Sequence, residues 1–285
     1  MAQNLQQLKK RIKTSNSIAQ ISKAMEMIAA SKIRKAQTSV GKYSPFAVKI
    51  KNMVQKVISD KDLVGNSLIE SYTKAREGKK LIYLIAPDKG LCGGLVVNLF
   101  KKLSECAKPE DYIVSVGKKA FNNMPKYDYN NIASFPIGTS FPRYEDIFPM
   151  IEIAKKFYLT GQVSGVSVVY TKFKNMLVQE AVCAEIFPVR PVVSAEGAPK
   201  VIEYLFEPSI GQVFEDLLPY YFEVEFYDAV MNAYASEQAA RMSAMRNAKE
   251  NADEISDTLT NIYNRSRQEK ITNEILDLAN GQAAA

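Results

Sequence analysis

From Tyr220 to Asn280 the chain has neither proline nor glycine and is rich in Ala, Met, Leu, Glu and Arg. This predicts one continuous helix, roughly 90 Å long at 1.5 Å per residue. Within it Met245, Ala248, Ala252, Ile255, Leu259 and Ile262 alternate in steps of three and four, the seam of a left-handed coiled coil. A globular domain of ordinary size cannot bury so long a helix, so most of it is expected to project. The segment Asn4 to Val40 also lacks proline and glycine. Leu5, Leu8 and Ile12 share the three-and-four spacing, as do Ile18, Ile21, Met25 and Ile28, with a slip of register at Ser15. Met25, Met27 and Ile28 read as helix core. A break or kink is expected near Gly41–Pro45, with the helix resuming from Phe46 to Ile58.

Between these segments the pattern shortens. Residues 60–77 are polar and turn-rich, a predicted linker. The apolar runs Leu81–Ala86, Tyr112–Val116, Val166–Tyr170 and Ala181–Ile186 read as buried strands, the last two joined in a hairpin across Lys174–Met176. A weaker strand is placed near Tyr129–Ser134. Helices are predicted over Leu95–Ala107 and Arg143–Leu159, the second shortened or kinked by Pro149. Strands alternating with helices imply a small α/β domain over residues 78–190. Pro188, Pro191 and Pro199 mark an extended connector, with the last helix beginning near Ser209. Two terminal helices bracketing one domain should pair antiparallel.

Charge supports that pairing. Residues 1–60 carry twelve Lys/Arg against Glu26 and Asp60, whereas Ser209 to the end carries six against thirteen acids. One end is about +10 and the other about −7, so the two helices should attract each other. The start, MAQNLQQLKKRIK, has no apolar stretch of the secretory kind, and no apolar run approaches the ~20 residues of a membrane span. Cys92, Cys106 and Cys183 are an odd, scattered set without metal-ligand spacing, which fits a reducing compartment.

The chain has no histidine, which removes Ser-His and Cys-His nucleophiles and histidine metal sites. Gly90, Gly93 and Gly94 do not match G-x-G-x-x-G, and Gly117-Lys118 lacks the rest of a phosphate-binding loop. A structural turn is the favoured reading. The basic first helix could neutralise phosphates, yet no aromatic interleaves its charges before Tyr43, and an acidic partner explains them equally well. The pairs Glu215–Asp216 and Asp253–Glu254 read as solvated helix faces. Two alternatives stay open from the residues alone: a nucleotide-dependent α/β enzyme with helical arms, and a basic coiled-coil nucleic-acid binder.

Four stretches carry a resemblance. Lys23-Ala-Met-Glu-Met-Ile-Ala-Ala-Ser-Lys-Ile-Arg-Lys35 resembles the N-terminal helix of the gamma subunit of F-type ATP synthases. Asp88-Lys-Gly-Leu-Cys-Gly-Gly-Leu95 resembles that family's central turn. Ala235 to Ala248 and Ile271 to Gly281 resemble its C-terminal helix. The chain departs at Pro87-Asp-Lys, where Ser-Asp-Arg is commoner, and at Gln282, where alanine is usual. It also lacks the cysteine-bearing insertion of the chloroplast form, so thiol regulation of that kind is not expected.

The resemblance implies an α/β fold in which a long antiparallel coiled coil (1–60 with 206–285) accompanies a small Rossmann-like domain (78–190). It implies a central rotor shaft without cofactor or catalytic residue, turning inside three alpha and three beta subunits. The epsilon subunit and the membrane rotor ring of c subunits lie at its foot. The expected setting is the membrane's cytoplasmic face in a bacterium, or the matrix side for a mature mitochondrial chain. By family position Lys23, Met25, Arg241, Gln268, Thr272 and Glu274 meet the alpha–beta ring, and Tyr204 and Glu207 dock on the membrane ring. Ile275 to Ala285, apolar and small, suit a tip seated in an apolar collar. Lys23, Lys32 and Arg34 are expected to guide the shaft past acidic loops of beta.

Overall fold

A computed structural model describes residues 2–58, 70, 72–73, 76–190, 207 and 210–283. The connector 191–206, most of the 60–77 linker and Tyr204 lie outside the described residues. The chain divides into two compact units, one of residues 31–240 and one of residues 1–30 with 241–285. Helices α1 (Ala2–Ile58) and α5 (Ile210–Ala283) contribute to both.

The larger unit holds a five-stranded sheet of β1 (Lys80–Ile85), β2 (Tyr112–Val116), β3 (Asn130–Phe135), β4 (Gly165–Phe173) and β5 (Gln179–Phe187). Their order is β3-β2-β1-β4-β5, parallel except for β5, which returns antiparallel from β4 at the edge. Between them run α2 (Leu95–Cys106), α3 (Lys118–Asn123) and α4 (Phe148–Leu159). Strand alternation sorts the core into two layers. Leu81, Tyr83, Ile85, Val114, Val166 and Val168 face α4 together with Ile50, Val54 and Val57 of α1 and Leu218, Phe222 and Phe226 of α5. Ile82, Leu84, Ile113 and Val169 face Leu95, Leu99 and Leu103 of α2. Burying both faces is why these strands read as continuous apolar runs.

Aromatic contacts tie the first layer together. Phe187 of β5 stacks on Tyr158 of α4 at 4.9 Å and on Phe222 of α5 at 5.3 Å. Tyr83 meets Phe226 edge-on at 5.0 Å, and its hydroxyl donates to the Met150 carbonyl at 2.6 Å. Such buried pairs add about 0.5–1.5 kcal/mol each beyond their area.

Three local expectations change. No break occurs at Gly41–Pro45: α1 runs through to Ile58. Pro45 is exposed, so its ring points away from the contact, while Tyr43, Ala47, Ile50, Val54 and Val57 hold the following turns on the core. The helix predicted from Arg143 begins as a 3-10 turn over Tyr144–Ile147, and α4 starts at Phe148, putting Pro149 in a first turn where its missing N–H costs nothing. Helix α3 was not foreseen, because six residues are too few to show a period.

Asp88 stitches three crossovers at the C-terminal end of the sheet. Its Oδ1 accepts from the Lys118 N–H at 2.8 Å and its Oδ2 from the Gly138 N–H at 3.0 Å. Gly117, between them, has φ +95°, and a Cβ there would stand 1.8 Å from the Ala86 carbonyl oxygen. Gly117→Ala is therefore expected to destabilise the chain by about 3 kcal/mol or more. Urea unfolding checks this, and an unchanged midpoint would contradict it.

Candidate coupling surface

The smaller unit is α1 up to Ala30 with α5 from Arg241. Its antiparallel sense is fixed by three cross-contacts. Arg246 Nε donates to Glu26 Oε1 at 2.9 Å, Ser15 Oγ to the Ala252 carbonyl at 2.7 Å, and Ser256 Oγ to Asn16 Oδ1 at 2.7 Å. A serine hydroxyl has little reach, so the Ser15 bond requires the two backbones to lie close.

The seam is the predicted one only in part: Leu8, Ile12, Met245, Ala248, Ala252 and Leu259 lie in it, and Ile18, Ile21, Met25, Ile28, Ile255 and Ile262 do not. On α1 the buried line is Leu8, Ser15, Ala19, Ser22 and Ala29, with Ile12 and Glu26 half-buried between them. This alternation is unbroken in steps of three and four, so Ser15 is in register and no slip occurs. On α5 the buried positions are Met245, Ala252 and Ser256; Ile255 and Ile262 are 54% and 46% exposed. Small residues took the interface because close backbones leave no room for β-branched side chains.

The large apolar residues lie outside instead. Ile18, Ile21, Met25 and Ile28 form one surface row, each 37–58% exposed, and Met27 is exposed on another side of the helix, so none of them is helix core. Ile271, Ile275 and Leu276 are exposed on α5. A contiguous apolar stripe of this kind on an otherwise charged surface marks a binding face. The same helix carries exposed lysines Lys9, Lys10, Lys13 and Lys23, the last of them two residues from both Ile21 and Met25 and so on another side of the helix from the row. The expected charge attraction is realised in the larger unit by Lys51 and Glu225 at 3.2 Å, but Glu26–Arg246 runs in the opposite sense. The α1 lysines named above face outward rather than toward α5.

All six residues predicted to meet a ring fall in this unit. Lys23 and Met25 are exposed and Arg241 is half-buried. Gln268 and Thr272 are exposed one turn apart, the Thr272 hydroxyl donating to the Gln268 carbonyl at 3.0 Å. Glu274 is exposed and pairs with Lys270 at 3.4 Å. Glu207 is exposed in the larger unit. Lys32 does not fit a guiding role: its ammonium donates 2.6 Å to the Thr139 carbonyl, inside the larger unit. Side chains from residue 277 onward, most of the predicted apolar tip, lie outside the described residues.

The sheet's own ligand position is closed. In doubly wound sheets, ligands bind beyond the C-terminal ends of the strands where the order reverses, here between β1 and β4. Ala233, Tyr234 and Glu237 of α5 fill that place against Ile85, Ala86 and Pro87, and Ser236 Oγ donates to the Thr171 carbonyl at 2.9 Å. The remaining cavity is about 10 Å³, room for a water and for no nucleotide. Among the described residues no cluster of three metal-ligating side chains occurs, and no helix is long and apolar enough to cross a membrane.

A family profile described as ATP synthase matches residues 4–285. The ATP synthase gamma chain of Dehalococcoides mccartyi (strain CBDB1) is 36% identical over 285 residues, covering 99% of both chains. That of Desulforamulus reducens is 35% identical over 280 residues, covering 97% of each. The chain belongs to the ATP synthase gamma-chain family. A solved structure shares the fold: a chain of the Euglena gracilis mitochondrial ATP synthase (OSCP/F1/c-ring, rotational state 3) superposes with a TM-score of 0.67 at 18% identity, covering all of this chain and 95% of that one.

Two outcomes are expected of the isolated gamma-family chain. Ile21→Gln should change stability by no more than about 0.5 kcal/mol, as at an exposed site, whereas Ala29→Leu should cost about 1–3 kcal/mol by overpacking the seam. Equal effects in urea unfolding would contradict the assignment of faces. Calorimetric titration with ATP or NAD should give no saturable heat, and micromolar binding would reopen the nucleotide reading.

Proposed function

We propose that the chain is the central rotor shaft of an F-type ATP synthase, carrying torque between a membrane ring of c subunits and a hexamer of three alpha and three beta subunits. The observation that carries this reading is the outward row Ile18, Ile21, Met25 and Ile28 on a helix pair whose own seam is built largely of small residues. Such a pair leaves its largest apolar side chains for a surrounding sleeve. Full-length similarity to gamma chains supports the same role.

On this reading the chain supplies no catalytic group. Chemistry belongs to the hexamer, and the shaft selects which of its sites is open or closed. Lys23, Met25, Arg241, Gln268, Thr272 and Glu274 contact the ring. Tyr204 and Glu207 belong to the foot on the c subunits, beside epsilon, at the membrane's cytoplasmic face. A shaft that turns needs contacts that break at every step. Exposed ion pairs, worth about 0–1 kcal/mol each, suit that better than deep sockets. Lys23 and Arg34, both exposed, remain available for such contacts, and Lys32 does not.

Reconstitution tests the assignment. Mixed with cognate alpha and beta subunits, the chain should join as one copy per three alpha–beta pairs, with ATP hydrolysis by the complex depending on it. Hydrolysis by the chain alone, or failure to associate, would overturn the reading. Within the assembled enzyme, Lys23→Glu should lower ion pumping per ATP hydrolysed more than it lowers assembly, and full coupling in that variant would remove Lys23 from the interface.

A further inference from the structure

The helix pair of the smaller unit carries an open groove of about 600 Å³, within the range of small-molecule sites. Helix α1 lines it between Gln7 and Ile18, and α5 lines it with Ile255 and Leu259. Its origin is the small seam. Ser15, which also lines the groove, is too short to fill the space beside it, and Ile18 and Ile255, 48% and 54% exposed, stand at its sides.

The charge of the lining has one sign. Lys10 and Arg11 are its charged residues, and among the described residues no carboxylate lines it. The two hydroxyls of the lining are already engaged: Thr14 Oγ1 donates to the Lys10 carbonyl at 3.1 Å and Ser15 Oγ to the Ala252 carbonyl at 2.7 Å. An anionic ligand therefore finds its donors in the Lys10 ammonium and the Arg11 guanidinium, whose fork matches a carboxylate. Along α1 the lining passes from these cations to Ile18, and from Gln7 to Ile18 it spans about 16 Å at 1.5 Å per residue.

We propose that this groove binds a single-chain anionic amphiphile, a fatty-acid carboxylate, with its head group on Lys10 and Arg11 and its chain over Leu259, Ile255 and Ile18. A charged head followed by an apolar tail is the order of an acyl chain lying along the helix pair. An amphipathic helix instead sorts its acids and apolar residues onto two sides of one cylinder. Withdrawal of the two isoleucines and Leu259 from water drives the chain in, and the cations decide which end it lies with. Ile18 also belongs to the outer row, so the bound chain covers a residue that the shaft reading gives to the sleeve. The groove belongs to the helix pair itself, and its occupancy is read on the isolated chain whether or not that reading holds.

The test titrates the full-length chain with dansyl-labelled undecanoate, whose emission rises and shifts to the blue in an apolar site. The expected result is saturation at one probe per chain and displacement by dodecanoate below its micellar concentration. Dodecyltrimethylammonium, with the same chain and the opposite charge, should displace little. Lys10→Glu combined with Arg11→Glu should weaken probe binding about tenfold or more, and Ile255→Gln about tenfold; all three positions are exposed, so folding is little affected. Lys9→Glu combined with Lys13→Glu makes the same change of net charge outside the lining and, at physiological salt, should alter binding by no more than about twofold. Uptake without saturation, equal weakening by the two charge reversals, or unaltered binding in Ile255→Gln would each overturn the proposal. So would a dimer of the chain alone that Ile255→Gln dissociates, since a second copy would then be the occupant.

Discussion

The close approach of α1 and α5 in the smaller unit is the constraint on which the surface chemistry depends. Ser15 reaches the Ala252 carbonyl directly, and Ala19, Ser22 and Ala29 continue the same line. Helices this close leave room for few large side chains between them, Ile12 and Met245 among those few, so Ile18, Ile21, Met25 and Ile28 lie outside. They form an outer row, and the unit therefore carries an apolar stripe on its exterior over an interior built largely of small residues. That inverts the arrangement of an independent coiled coil, in which apolar a and d residues supply the stability. A lone two-helix unit built this way gains little from its own burial, which is consistent with a protein meant to be surrounded.

The larger unit answers a different demand. Here α5 is apolar on nearly every side from Leu217 to Met231, because the sheet, α4 and α1 all press on it. The aromatic run from Tyr158 through Phe187 and Phe222 to Phe226 fixes the helix to the sheet at several points. For a shaft of the proposed kind, torque delivered at the foot has to pass into the helices without slippage. A helix sealed into the sheet's crevice by Tyr234 and Ser236 can take it up. The same residues occupy the place where related sheets hold a nucleotide, so a mechanical use of this crevice excludes a binding one.

Much of this fold was legible in the sequence. Four strands stood out because both faces are buried, and the long helices because proline and glycine are absent from Asn4–Val40 and Tyr220–Asn280. Part of the seam was misread because hydrophobic periodicity ranks isoleucine above serine, and here Ile18, Ile21, Ile28, Ile255 and Ile262 lie on the outer surface. The signal that could have found it was present: Leu8, Ile12, Ser15, Ala19, Ser22, Glu26 and Ala29 keep the heptad without a slip once small residues are admitted. Lys32 was placed with the free lysines because sequence does not reveal the carbonyl of Thr139, more than one hundred residues away. The ring-facing candidates came from family resemblance rather than from periodicity, and Met25 alone among them belongs to the outer apolar row.

The most direct test of the account is peroxide footprinting of methionines, read by mass spectrometry on the isolated chain and on the complex with alpha and beta subunits. Met25 and Met27 are exposed and Met245 is buried in the seam, so in the isolated chain the first two should oxidise rapidly and Met245 slowly. On assembly Met25 should become protected while Met245 stays slow. Slow oxidation of Met25 in the isolated chain would contradict the outward placement of the apolar row, and equal rates before and after assembly would contradict its use as the bearing surface.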